Sequence, residues 1–146
     1  MAEQDDEDRQ LEELLGELRV VLPGTTVLFA FLLTLPFTGE FSGLTAAQRL
    51  SFFIAFLSTA GALILLTGET AYHRLAGKPY DKRRMLVTAS RQTVAAVALL
   101  LVALPAVIFL VSDVVYRGAV AVPVTAAAFV LAASTWVVLP LMRRWR

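Results

Sequence analysis

Four long apolar stretches, separated by short polar segments, dominate the pattern of this chain. They cover residues 20–39, 50–68, 92–112 and 119–142, and no charged residue lies inside any of them. A helix needs about 20 apolar residues to cross a bilayer core of about 30 Å. Each stretch meets that length, so the pattern predicts four membrane-spanning helices.

The alternative of a soluble helical bundle fits the pattern poorly. Helices of a soluble bundle keep a charged outer face, whereas these four stretches are apolar on every side. Hydrophobic residues make up 58% of the chain and the mean hydropathy is +0.70. The predicted fold class is therefore all-α, a four-transmembrane-helix bundle preceded by a short amphipathic N-terminal helix.

The N-terminal residues divide into two parts by composition. Residues 1–10 are acidic and polar, and we expect a disordered tail there. Residues 11–19 carry leucines at helical spacing with acids on the other face, which predicts a short amphipathic helix. The alternative is that this segment forms the first turns of an extended first helix. Residues 11–146 are then one membrane domain.

Several residues predict where the helices bend or begin. Pro23 and Gly24 predict a bend at the entry to the first span. Thr45 and Gln48 form the pattern of a capping box, which predicts that the second helix starts there. Asp81 is a suitable N-cap for the third helix.

The charges are distributed very unevenly between the two sides of the predicted spans. Eleven of the thirteen bases fall on the side shared by both termini and the loop 69–91, and only Arg49 and Arg117 fall on the other. Basic loops face the cytoplasm in most membrane proteins. We therefore expect a multi-pass protein of the cell (inner) membrane with both termini cytoplasmic. The acidic start is unlike a secretory signal, so the first span is expected to remain in the mature protein.

Short runs of this sequence also resemble those of a known family. They are Glu17-Leu18-Arg19, Leu22-Pro23-Gly24, Leu28-Phe29-Ala30-Phe31-Leu32-Leu33, Pro36-Phe37 and Thr70-Ala71-Tyr72-His73-Arg74. The likeness covers residues 11–117. It resembles a family of small four-span membrane proteins from high-GC Gram-positive bacteria, classed as a domain of unknown function. Some relatives carry the label sodium:proton antiporter. The resemblance implies a bacterial inner-membrane location and no catalytic activity.

Four polar residues of the second helix are candidates for an ion or proton path. Glu69 and His73 are four residues apart on one helix face, where an acid and an imidazole could pass protons or hold a cation. The alternative is an interfacial Glu69 paired with a nearby base. Ser58 and Thr59 lie near mid-membrane and could line a water path, or they could bond to a helix carbonyl.

Two further groups of charges lie at the end of the third span and in the basic loop 69–91. Asp113 and Arg117 are four apart and suggest an exposed ion pair, or a vestibule in which Asp113 attracts cations. A basic cluster suits anionic lipid headgroups and also determines topology; it comprises Arg74, Lys78, Lys82, Arg83 and Arg84.

The sequence contains no motif with recognisable chemistry. It has no cysteine and a single histidine, His73, so we expect no metal site. We expect no enzyme activity, no cofactor and no nucleic-acid partner. We expect the protein to be a self-associating or accessory membrane component. Its expected partners are anionic lipid headgroups and other copies of the chain in a homo-oligomer. The alternative is an oligomeric ion or proton conductor, either a channel or an antiporter-like protein.

Overall fold

The structure is a computed structural model that describes residues 2–75, 82–116 and 118–144. Within those ranges, side chains are not described at positions 2–8, 10–15, 17, 69–75, 82–86 and 143–144. The described chain is all helical and contains no strand. Its elements in order are α1 (Ala2–Thr34), two 3-10 turns (Leu35–Phe37 and Gly39–Gly43), α2 (Ala46–Leu75), α3 (Lys82–Tyr116), α4 (Ala121–Ala133), a π-helical segment (Ser134–Val138) and α5 (Leu139–Arg144).

Four helices are long and apolar enough to cross a membrane, as the sequence pattern predicted. The apolar segments are Leu18–Phe37, Ala46–Gly68, Val87–Tyr116 and Ala121–Met142. We call the end of the helices that carries residues 35–45 and 118–120 the loop end, and the opposite end the terminal end. The chain is therefore a multi-pass membrane protein by the length and composition of its helices.

Helix α1 is unbroken from Ala2 to Thr34. It contains the residues for which we expected a disordered tail, and the segment 11–19 continues directly into the span. Acidic residues are favourable in the first turns of a helix, which allows so polar a stretch to be helical. Pro23 lies inside α1 without ending it. The division of the chain into tail and membrane domain stays a prediction.

Helices α2 and α3 make the most extensive contact of any two described helices. Most of their buried residues recur at spacings of three, four or seven positions. This spacing is typical of two helices that pack along a left-handed seam. Alanine at the seam lets the two backbones approach closely. Apart from Pro105, which lies on the side of α3 that faces α4, the buried residues are Gln48, Ser51, Phe52, Ala55, Thr59, Ala62 and Leu66 on α2, and Ala89, Ala96, Leu100, Ala103 and Leu110 on α3.

Helix α1 covers one side of the α2–α3 pair along its whole apolar length. Towards the loop end, Leu32 is buried in a cluster with Phe52 and Leu110. The rings of Phe29 and Phe56 stack there with centroids 5.4 Å apart. Towards the terminal end, Leu18, Val21 and Leu22 of α1 pack against a second cluster, composed of Ala62, Leu66, Ala96 and Leu100.

Helix α4 packs on α3 through a row of small residues. Ala121 is fully buried, and Thr125, Ala128 and Ala132 are half-buried. Pro105 of α3 is buried on this side. Among the described residues, α4 contacts neither α1 nor α2. The described helix contacts therefore follow the order α1, α2, α3, α4, with an additional contact between α1 and α3.

A π-helical segment interrupts the fourth span near its terminal end. The hydroxyls of Ser134 and Thr135 both donate to the carbonyl of Leu131, at 2.9 Å each. Side-chain donors that bind helix carbonyls compete with the backbone ladder, and π-turns occur where that ladder is disturbed. These hydroxyls thus have a structural role in the local backbone.

The α2–α3 seam yields a direct test of this packing. Ala96 is 0% exposed and lies in the cluster with Leu66 and Leu100. Ala96→Leu is expected to destabilise the protein by about 1–3 kcal/mol, because no space remains for a larger side chain. Ala95→Leu is the matched control, since Ala95 is exposed. The free energy of unfolding, measured by SDS titration in mixed micelles, checks the difference. Equal values for both variants would contradict the seam.

Candidate functional site

Polar side chains from three segments meet at the loop end of the helices. They surround an open pocket of about 500 Å³ between the α1–α2 connection and the α3–α4 turn. The turn reverses the chain at Gly118, whose φ of 95° favours glycine. The pocket is lined by Glu40, Gly43, Leu44, Thr45, Gln48, Asp113, Val114 and Gly118.

The capping box predicted at the start of α2 is confirmed. The backbone N–H of Thr45 donates to Oε1 of Gln48 at 2.9 Å. In return, the backbone N–H of Gln48 donates to Oγ1 of Thr45 at 3.3 Å. The first N–H groups of a helix have no partner within it, and this reciprocal pair satisfies two backbone donors at the entry to α2. The box also fixes the orientation of the Gln48 amide.

The same amide joins α2 to α3. Gln48 is only 8% exposed, and its Nε2 donates to Oδ2 of Asp113 at 2.8 Å. Asp113 is half-buried, one turn before the end of α3. A hydrogen bond to a carboxylate is stronger than one between neutral groups. One glutamine therefore holds the start of α2 and the end of α3 in register.

Two further hydrogen bonds fix this end of the molecule. Ser51, one turn deeper than Gln48, donates through Oγ to the carbonyl of Ala106 at 2.9 Å. Arg49 donates through Nη2 to the carbonyl of Ser42 at 2.9 Å, which ties α2 to the preceding 3-10 turn. Ser51 thus joins α2 to α3 below the pocket, and Arg49 joins α2 to the connection that precedes it.

The pocket presents two carboxylates to water. Glu40 is exposed on the 3-10 turn, and Asp113 lies across the pocket with Gln48 as its hydrogen-bond partner. Neither acid forms an ion pair within the described part of the chain. Arg117, the partner expected for Asp113, lies outside the described residues. Among the described residues that line the pocket, no nucleophile lies beside a base. Nowhere among the described side chains do three metal-ligating residues come together.

The residues predicted to form an ion or proton path do not line this pocket. Thr59 is fully buried in the α2–α3 seam, and its Oγ1 donates to the carbonyl of Ala55 at 2.7 Å. Ser58 beside it is half-buried. Glu69 and His73 lie in α2, but their side chains are outside the described part. The path therefore stays a prediction.

The basic cluster proposed for lipid headgroups lies at the terminal end. Arg74 is in the last turn of α2, and α3 begins with three of the bases. Their side chains, and Lys78 altogether, are outside the described part of the chain. Lipid contact by the cluster also stays a prediction; it concerns Arg74, Lys78, Lys82, Arg83 and Arg84.

The bond between Gln48 and Asp113 was missed by sequence reasoning. The sequence predicted that Gln48 would bond within the capping box alone. It predicted that Asp113 would pair with Arg117 of the same helix or attract cations. The sequence did contain an indication of this bond. In an antiparallel pair of helices whose contact residues recur at spacings of three and four, the start of α2 lies beside the end of α3. Two polar residues at those ends of the repeat are then expected to face each other.

Comparison with known proteins places the chain in a family. Residues 2–140 match the family of unknown function DUF6328. Since the match spans nearly the whole chain, the protein belongs to that family. No curated protein and no solved structure matches it.

The link between α2 and α3 is tested by a double-mutant cycle. Gln48→Ala and Asp113→Ala are each expected to destabilise the protein, and the two together by less than their sum. The expected coupling is about 1–2 kcal/mol, as for a partly screened hydrogen bond to a charged group. The cycle of Arg49→Ala with Asp113→Ala is the control and should show no coupling. Additive effects of Gln48→Ala and Asp113→Ala would contradict the bond.

Proposed function

We propose that this DUF6328 member is a non-catalytic protein of the bacterial inner membrane that associates with copies of itself through α4. The observation that carries the proposal is the position of α4, which packs on α3 and on no other described span. Apart from Ala121 at its start, no described residue of its apolar segment is buried within the chain. The fourth span therefore keeps most of its surface for contacts outside the protein.

Apolar exposure by itself does not support association, because lipid tails are as apolar as the exposed side chains. Small residues do support it, since they let helices approach closely and gain packing contacts. Six of the thirteen residues of α4 are alanine. Ala128 faces α3, whereas Ala126 and Ala127 are exposed on other sides of the helix. A second helix can approach α4 closely at those positions.

The interior of the molecule favours this function over conduction through a single chain. Between Ser51 and Gly68, the α2–α3 seam is occupied by apolar side chains, and the one buried hydroxyl there, Thr59, donates to its own helix. The loop-end pocket has no described polar continuation along the seam. Ion or proton conduction, the second candidate, would require a path between copies of the chain.

Self-association is tested by disulfide trapping, for which a cysteine-free chain is a clean background. Ala126→Cys and Val130→Cys place a thiol on the exposed face of α4, and both are expected to form crosslinked dimers in oxidised membranes. Ala128→Cys is the matched control on the α3 side and should remain monomeric. Crosslinking at Ala128 alone, or at none of the three, would contradict the proposed interface. Yields at Ala126 that fall on dilution with lipid would indicate random collision instead.

The proposed orientation places both termini in the cytoplasm, on the charge distribution. Gly43→Cys, at an exposed position with open space around it, is expected to react with a membrane-impermeant maleimide in intact cells. Ala2→Cys, at the start of α1, is expected to react only after permeabilisation. Labelling in the reverse order would overturn the orientation.

A further inference from the structure

The contact between α3 and the fourth span ends partway across the membrane. Helix α4 packs on α3, but no Cα atom of the π-helical segment or of α5 lies within 8 Å of a Cα atom of α1, α2 or α3, as far as the structure describes them. The two helices part at a cleft of about 280 Å³, which Pro105 and Ile108 of α3 share with Thr135 and Trp136. The fourth span therefore diverges from α3, although its apolar segment continues to Met142.

The side of α3 that borders this cleft is covered by α4 over only half of its length. Its residues recur at spacings of three and four, as in a seam between two packed helices. Those in the covered half are buried or half-buried, and those in the other half, which we call the bare stripe, are exposed. The covered residues are Ser112, Ile108, Pro105 and Leu101, and the bare stripe consists of Ala98, Val94, Arg91 and Val87.

The sequence of the fourth span contains the matching repeat over its full length. Seven residues follow one another at spacings of three and four, and in an unbroken α-helix all of them would lie on one side. Ala132 and Pro105 border the same cleft. Seven residues further along each helix, in opposite directions, Leu139 would then lie opposite Ala98. The seven residues are Ala121, Thr125, Ala128, Ala132, Thr135, Leu139 and Met142.

The π-helical segment turns the second half of this repeat away from α3. The backbone N–H of Leu139 donates to the carbonyl of Ser134, five residues earlier instead of four. Since each residue of an α-helix advances by about 100°, the one extra residue in this turn rotates the following residues by about that angle. Leu139 and Met142 are consequently exposed instead of facing α3.

Pro140 explains why the π-helical turn forms where it does. In an α-helix its ring would clash with the carbonyl of Trp136, four residues earlier. A turn with one more residue moves that carbonyl away from the ring. The repeat shared by the fourth span and α3 favours the opposite form, because small residues such as Ala98 let helices approach and gain packing contacts. The π-helical and α-helical forms therefore each satisfy one of two competing requirements.

We propose that the fourth span alternates between the π-helical form of the structure and an α-helical form in which Leu139 and Met142 close onto the bare stripe of α3. Residues 121–133 keep their contact with α3 in both forms, so the proposal does not depend on self-association through α4. The change covers or uncovers Ala98 and Val94 within the membrane. The bare stripe is thus a surface that the protein itself presents in one form and withdraws in the other.

Engineered cysteines detect the closed form directly, because the chain has no cysteine of its own. A disulfide requires Cα atoms about 4.4–6.8 Å apart. The structure keeps the residues of both test pairs more than 8 Å apart. The test pairs, in the full-length protein in membranes, are Ala98→Cys with Leu139→Cys and Val94→Cys with Met142→Cys. Ala98→Cys with Val137→Cys is the matched control, since Val137 is exposed and lies on the far side of an unbroken α-helix.

Both test pairs are expected to form a disulfide within one chain faster than the control pair. The product is a monomer on a denaturing gel that no longer reacts with maleimide. Pro140→Ala is expected to raise the rate about tenfold, because it restores an N–H donor and removes the ring that disfavours the α-helical form. Pro123→Ala should leave the rate unchanged, since Pro123 lies in the first turn of α4, where proline is tolerated.

Three outcomes would overturn the proposal. The first is that neither test pair forms a disulfide within one chain, with or without Pro140→Ala. The second is an equal rate in the test and control pairs, which would indicate random excursions of the helix end. The third is that Ala98→Cys forms disulfides between two chains in place of those within one chain, which would assign the bare stripe to a second copy.

Discussion

In hydrocarbon, every backbone group must find a partner within the protein, and this constraint shapes the whole molecule. Continuous helices satisfy the backbone groups of the spans. Most described hydroxyls of the spans find a partner too, although the buried Oγ1 of Thr125 has none. Hydroxyl groups bond to carbonyls of their own helix, as when Thr25 donates to Val21 at 2.8 Å and Thr34 donates to Ala30 at 2.6 Å. Local bonds of this kind satisfy a polar group without specifying a neighbour. The described bonds that do join different spans, from Gln48 and Ser51, lie towards the loop end.

Packing therefore carries the association of the helices over most of their length. Ala55, Ala62, Ala96 and Ala103 are 0% exposed, so the backbones of α2 and α3 lie close together along the seam. A Cβ at Gly61 would stand 3.0 Å from Cδ1 of Leu99, which shows how little space remains beside this seam. Close packing along the middle and hydrogen bonds at the end are complementary, because only the bonds define the register of the pair.

The sequence predicted the number of spans, their approximate positions and the capping box at Thr45 and Gln48, because these depend on local composition. It did not predict the partner of each helix. In water, a polar face marks the outside of a helix, but in lipid the outside of α4 is as apolar as its contact with α3. Small residues indicate where helices can approach each other closely. They do not show which side of α4 faces α3, because Ala126 and Ala128 lie on opposite sides of the helix and are the same residue type. The Gln48–Asp113 bond was missed for the related reason that it depends on tertiary register.

The two ends of the α2–α3 pair differ in chemistry, and this difference bears on function. The loop end has two carboxylates around an open pocket, and the Gln48–Asp113 and Arg49–Ser42 bonds hold its surroundings in place. The terminal end has an apolar groove lined by residues of α1, α2 and α3. Between them lies a tightly packed seam in which a hydroxyl such as Thr59 is already satisfied. Transport through such a molecule would require the seam to open, at the cost of its close packing.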